Sequence, residues 1–351
     1  MPSAPATPAS SPAAPHAFGP AGPRLRALAP GLALCAAAAA IAMGVHALVP
    51  GLSALVVAIV LGIALTNLVR LPSQTAPGIA FSAKKLLRLG IVLLGLQLVL
   101  GDILALGTPM LAVIVCIVAG GIAGTVLMGS LLKMRTAQTL LIACGFSICG
   151  AAAVAAAEGV TDSEEEEVVT AVALVVIFGT LMIPAIPFAA QALGLGPEQT
   201  GLWIGGSTHE IAQVVAAGGI VGGGALGVAV VVKLARVLLL APVIAVLAVL
   251  QRRASAGADA GQRPPIVPLF IAGFLAMVLI RSFVPVPGVV LSVGGFAQTA
   301  LLSAAMFALG CGVKVRSLLR VGLRPFVLAA GSTVLVAGIA LAGVVLTHPG
   351  A

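Results

Sequence analysis

Apolar residues run through this chain in blocks of about twenty, separated by short polar or glycine-rich joints. As helix, a block of that length covers the ~30 Å hydrocarbon core of a bilayer. Eleven runs can be marked, near 27–49, 52–69, 86–105, 109–132, 137–158, 168–190, 200–219, 225–250, 266–283, 289–312 and 326–347. The seventh is the exception. It contains "GGSTHEIAQ" (Gly205–Gln213), where a serine, a threonine, a histidine, a glutamate and a glutamine crowd into nine residues. Such a cluster is either a loop in water or a polar site held at membrane depth.

Basic residues test those readings, because Lys and Arg collect on the cytoplasmic side of short loops. With eleven crossings and a cytoplasmic N-terminus, fifteen of the eighteen Lys and Arg fall inside, among them Arg70, Lys84, Lys85, Arg88, Lys133, Arg135 and Arg253. Only Arg281 falls outside, and Lys233 and Arg236 lie within a run. If 200–219 does not cross, every later loop changes side and the count becomes nine against seven. The tally therefore predicts that 200–219 crosses and that the polar cluster sits in the membrane. The same topology puts "DSEEEE" (Asp162–Glu167) in an external loop and the C-terminus outside.

Composition agrees with a membrane protein. Mean hydropathy is +1.22 and only 8% of residues are charged, outside the range of soluble domains. The pI near 10 invites a nucleic-acid reading, but no basic run is interleaved with aromatic residues, so nucleic acid is not an expected partner. The five cysteines lie in apolar stretches with no CxxC spacing, which predicts neither a disulfide framework nor a zinc site. No metal or cofactor is expected. Residues 1–23 are uncharged and rich in Pro, Ala and Ser, the composition of a disordered tail.

"KLLRLGIVLLG" from Lys85 and "KLARVLLLAPV" from Lys233 share Lys-x-x-Arg before an apolar run, 148 residues apart. An odd number of crossings separates them, so the copies point in opposite directions. The predicted fold is an all-α integral membrane protein of about eleven transmembrane helices. It has the tail at 1–23, an extra helix at 24–50, and two inverted repeats of five helices at 51–190 and 197–347. Inverted repeats mark secondary transporters, with the site at the repeat interface.

Candidate chemistry lies in three places. "CGFSICG" (Cys144–Gly150) puts Gly145, Ser147 and Gly150 inside the fifth run. Local unwinding there would expose amide N–H groups and a half-helix N-terminus, which attract anions; close packing of small residues is the plainer alternative. "SVGGFAQTA" (Ser292–Ala300) offers Gly294, Gly295, Gln298 and Thr299 at the corresponding place of the second half, so both segments are expected to be interrupted. Third, Glu210 at membrane depth must be protonated, paired or facing water. Lys233 and Arg236 are the expected counter-charges, either in a structural ion pair or in a substrate site. His209, Glu210 and Gln213 are then the proton-coupling candidates.

Two enzyme readings are weaker on the residues, and the intramembrane hydrolase stands as a remote alternative. "HEIAQ" starts like the HExxH zinc motif but has Gln213 where the second histidine belongs. "GFSIC" resembles the start of an intramembrane serine hydrolase, with His209 as base, yet no glycine follows the serine.

"PGIAFSAKKLLRLGIVLLGLQL", "CGFSICGAAAVAA", "GLWIGGSTHEIAQVVAAGG" and "VVKLARVLLLAPV" resemble the YeiH-like sulfate exporter family of bacterial inner membranes, over residues 30 to 347. The resemblance implies a relation to cation/proton antiporters and bile-acid sodium symporters. It further implies crossed, unwound helices at Gly145–Gly150 and near Gly294–Thr299, with Ser207, His209, Glu210 and Gln213 close by. The expected activity is export of sulfate or a related sulfur oxyanion by alternating access. Ser147, Ser207, Lys233 and Arg236 would then contact the anion, and Glu210 with His209 would couple it to a proton. The runner-up is a proton-coupled cation or organic-acid transporter on the same scaffold. The expected partners are a small anion and the lipid bilayer, and a homodimer is compatible with both.

Overall fold

The computed structural model describes residues 22–49, 53–254, 269–313 and 322–348. Most of the expected tail lies outside them, as do Arg263, Lys314, Arg316 and Arg320. Every described element is helical, as a lipid environment demands: without water, backbone N–H and C=O groups must be paired within the segment. Six helices are long and apolar enough to cross a membrane, and shorter apolar helices lie between them.

The chain starts with α1 (Gly22–Leu48) and α2 (Ala54–Leu68), the latter capped by Ser53, whose Oγ accepts from Leu55 N. Next come α3 (Ala76–Phe81) and α4 (Leu87–Leu94), joined through a π-helical turn at Ser82–Leu86. The short α5 (Leu100–Leu104) follows extended backbone at Leu98 and Val99. After α6 (Gly107–Leu131) come two short helices, α7 (Thr136–Cys144) and α8 (Ala151–Glu158). The 28-residue α9 (Glu165–Ala192) leads to another short pair, α10 (Pro197–Ser207) and α11 (Ile211–Val221). The rest is α12 (Ala225–Leu238), α13 (Leu240–Ala254), α14 (Leu269–Phe283), α15 (Gly288–Gly312) and α16 (Leu323–Thr347).

The two short pairs are hairpins. Arg135, just before α7, is ion-paired with Glu164 and, at 3.2 Å, with Glu167, at the start of α9. Glu158, at the end of α8, meets Lys84 at 3.0 Å. The chain between 135 and 164 therefore enters and returns to the same end of the molecule. In the second pair, a β-carbon at Gly201 would lie 2.5 Å from the Ala225 carbonyl oxygen, and Gly205 sits against Ala229, so α10 runs parallel to α12. Gly218 packs on Leu226, so α11 runs antiparallel to α12. Gly223, just beyond α11, sits beside the Pro197 ring. The 28 residues of α9 span about 42 Å at 1.5 Å each, so the hairpins enter from opposite ends.

This corrects three expectations. Residues 136–158 fold back rather than run straight through, residues 200–219 likewise turn back at 208–210 instead of crossing, and the acidic stretch 162–167 lies on the face of Arg135, not opposite it. The basic tally could not see this: turning both the fifth and seventh runs into hairpins moves only loops 159–167 and 191–199, and neither contains Lys or Arg.

Around the hairpins, the helices form two packed groups. In one, α15 lies against α1, α2 and α4, with α14 against α4. In the other, α6 packs on α16, and α10 on α12 and α16, with α9 beside α11 and both arms of the first hairpin. Lys84–Glu158 joins the two groups.

Candidate functional site

The hairpin tips meet in the middle of the second group. The first tip is a π-helical turn over Gly145–Cys149 that ends at Gly150, whose φ of +75° and ψ of −135° suit only glycine. A side chain at Gly150 would also strike the Glu210 side chain. In the second tip, Thr208 and Glu210 are extended and α11 starts at Ile211. Each hairpin therefore turns one helix C-terminus and one helix N-terminus toward the centre.

Helix C-termini leave carbonyls unpaired and carry partial negative charge. Here two buried cations from α12 take them up. Lys233 Nζ donates to the carbonyls of Ile148 (2.8 Å), Thr208 (2.9 Å) and His209 (2.6 Å). Arg236 donates from Nε to Ser147 O (3.2 Å), from Nη1 to Gly205 O and Thr208 O (3.0 Å each), and from Nη2 to Phe146 O (3.1 Å) and Ser147 O (2.9 Å). That is all three ammonium and all five guanidinium hydrogens. Neither side chain keeps a donor for a ligand. No ion pair joins either of them to Glu210, so the expected direct pairing is replaced by backbone capping.

Glu210 serves the other ends. Its Oε1 accepts from Ala151 N at 3.0 Å, the first residue of α8. Its own N–H donates to Gln213 Oε1 at 3.0 Å, closing a capping box at the start of α11. His209 lies outside the helix. Its Nδ1 sits 3.2 Å from Phe146 O and its Nε2 3.1 Å from Thr333 Oγ1, with its ring 4.4 Å from that of Phe146. Since a carbonyl only accepts, the proton of that first bond belongs to Nδ1.

Ser207 Oγ donates to Trp203 O at 2.6 Å. Ser147 Oγ is buried without a partner beside Gly121. The serine and His209 are therefore not hydrogen-bonded, and the hydrolase dyad is not formed. Among the described residues, no group of three or more His, Cys, Asp and Glu could hold a metal.

Gly294, Gly295, Gln298 and Thr299 lie elsewhere. Residues 288–312 are one unbroken helix, so the expected second interruption is displaced to 208–210. The glycines there serve packing: Gly294 faces Leu96 and Gly295 faces the Gln97 amide. Sequence reasoning missed Thr208, Phe146 and Thr333 as partners. The first two act through backbone carbonyls, which no side-chain pattern reveals, and Thr333 is an isolated hydroxyl in an apolar helix.

Two cavities approach the tips between the helix groups. One of about 750 Å³ opens on the face of Arg70 and Lys84 and reaches Ala151 and Ala155 of α8. The other, about 450 Å³, opens near His46 and Ser53 and reaches Ile211 and Ala212 of α11. Glu210 and Ala151 thus form part of the septum between them.

A multi-spanning helical membrane protein with two broken hairpins at its centre is the class these features define. Within that class, a family model described as Conserved hypothetical protein 698 matches residues 30–329. A UPF0324 membrane protein of Corynebacterium glutamicum is 70% identical over 93% of this chain and 94% of its own length. Another, of Pseudomonas aeruginosa, is 38% identical over 93% and 95%, and one of Bacteroides thetaiotaomicron is 37% identical over 79% and 84%. The chain belongs to this UPF0324 family, the one that the YeiH-like motifs indicate. No solved structure matches it.

Proposed function

We propose that this protein is a secondary transporter of a small oxyanion, sulfate or a related sulfur anion, working by alternating access. The observation that carries the proposal is the pair of cavities between two helix groups, one on each face, separated by the septum at Glu210 and Ala151. The charges favour an anion. Lys233 and Arg236 quench the helix C-termini, while one carboxylate faces two helix N-termini, so the centre carries two formal positive charges against one negative. The two cations act through their field, since their hydrogens are all used.

In this reading nine segments cross the bilayer and two hairpins enter from opposite faces as the inverted pair. The basic face is cytoplasmic and the membrane is the bacterial inner membrane. An inside-negative potential then favours anion export by ~2.3 kcal/mol per charge per 100 mV. Glu210, held between the cavities, couples transport to a proton with His209 beside it. Its position also supports the second reading, a proton-coupled cation or organic-acid carrier, in which Glu210 binds the cation.

Radiolabelled sulfate uptake into proteoliposomes, with and without a pH gradient, tests this. Native protein is expected to give gradient-dependent flux that Glu210→Gln removes. Flux of a monovalent cation in place of any anion would overturn the anion reading in favour of the second.

A further inference from the structure

Resting on the transporter reading, we infer that the smaller cavity selects a singly charged organic anion, a short apolar body ending in a carboxylate or sulfonate, over inorganic sulfate. Its size argues first. At ~30 Å³ per water, a five-atom oxyanion needs roughly the room of three waters, whereas this cavity holds about 450 Å³ and falls in the ~300–1,000 Å³ range of organic-ligand pockets.

The lining argues next, because it is divided. From the group containing α12 come Ile211, Ala212, Val215, Ala216, Val230 and Leu234, all apolar. The other group supplies the polar residues His46, Ser53, Gln97, Gln298 and Thr299, beside the apolar Ala54, Leu55 and Leu94. Ser53 Oγ accepts from Leu55 N, which leaves its hydrogen for a ligand, and the two glutamine amides add further donors. Thr299 spends its hydroxyl hydrogen on Gly295 O at 2.9 Å. Gly295 leaves room for the Gln97 amide, which a β-carbon there would meet at 3.0 Å.

Charge decides between a monoanion and a dianion. No Asp, Glu, Lys or Arg lines this cavity, and its one titratable lining residue is His46. The nearest cations in sequence to Leu234, Lys233 and Arg236, are turned into the crossing with every hydrogen committed. His46, which can carry at most one positive charge, lines the cavity together with uncharged donors and the start of α11. A dianion stripped of water would find at most one matching charge, and the apolar half of the wall would give it nothing in return. A monoanion with a short hydrocarbon body uses both halves.

Calorimetric titration of the full chain in detergent with sulfate, the C1 to C4 alkanesulfonates and the matching carboxylates tests this without requiring transport. Affinity is expected to rise about fourfold per methylene, the equivalent of ~0.8 kcal/mol, with butanesulfonate or pentanoate at least ~10-fold tighter than sulfate. The stronger series identifies the headgroup. Ala216→Phe, which fills the apolar wall, and Gln298→Leu, which removes a donor, should each weaken binding ~10-fold while the ligand-free melting temperature stays within a few degrees. Sulfate binding as tightly as butanesulfonate overturns the inference, as does indifference to chain length. Full binding by a folded Ala216→Phe protein, which would place the ligand in the detergent or elsewhere, overturns it too. Organic-anion binding without flux in proteoliposomes would sink the transporter reading alone. Sulfate flux untouched by Ala216→Phe would sink this inference alone.

Discussion

Arg236 and Lys233 look in sequence like substrate ligands or partners of an intramembrane acid, and in the structure both cap backbone carbonyls and neither is ion-paired with Glu210. Six carbonyls at two helix C-termini absorb their eight hydrogens. A buried carbonyl left unpaired costs about 1–3 kcal/mol. Arg236→Met orphans those of Ser147 and Gly205, while Phe146 keeps His209 Nδ1 and Thr208 keeps Lys233. The expected loss is therefore at least ~2 kcal/mol, a large part of a typical stability of ~5–15 kcal/mol. Arg236→Lys keeps the charge but has three hydrogens and no fork, so it should recover only part. Thermal unfolding in detergent ranks them, and a Lys variant as stable as native would refute the capping role. Gly150→Ala meets strained backbone and the Glu210 side chain together. Strain alone is of order 1–3 kcal/mol, and the collision adds to it, so this variant should melt well below native in the same assay.

The hairpins raise a different question, whether a twenty-residue apolar run crosses or turns back. Sequence composition is the same for both, and here two turn-backs cancel in the basic tally. Acidic residues, which do not set orientation, carried the missing signal: Glu158 meets Lys84, and Glu164 and Glu167 meet Arg135. Single cysteines at Ser163 and Gly194, in protein stripped of its native ones, separate the two topologies. A membrane-impermeant maleimide should reach Ser163 from the face that exposes Lys133, and Gly194 from the other. Straight crossing of both segments would reverse both results. The Gln199 amide, bonded to His348 O at 2.6 Å, already places the start of the second hairpin beside the end of α16.

For the whole molecule, the proposed transport cycle makes the boundary between the helix groups, where both cavities lie, the part that moves. Lys84–Glu158 bridges it at the rim of the larger cavity. Such a half-exposed pair is worth only ~0–1 kcal/mol, enough to bias the groups but not to lock them. Cysteines at both positions joined by a short bifunctional maleimide should stop flux, while each single cysteine retains it; flux surviving the cross-link would show that this boundary stays fixed. The sequence by itself determined that the chain is helical, that it belongs in a membrane, and that Gly145–Gly150 and Gly205–Gln213 hold its polar chemistry. Those are local properties: apolar length, backbone self-pairing and the cost of polar groups among apolar ones are readable residue by residue. Only the tertiary structure decided that the two segments turn back to meet, that the cations cap carbonyls and leave Glu210 to Ala151, and that Gly294–Thr299 form a cavity wall on an intact helix. Those outcomes depend on which distant backbone atoms come within ~3 Å of each other, and side-chain order along the chain does not encode that distance.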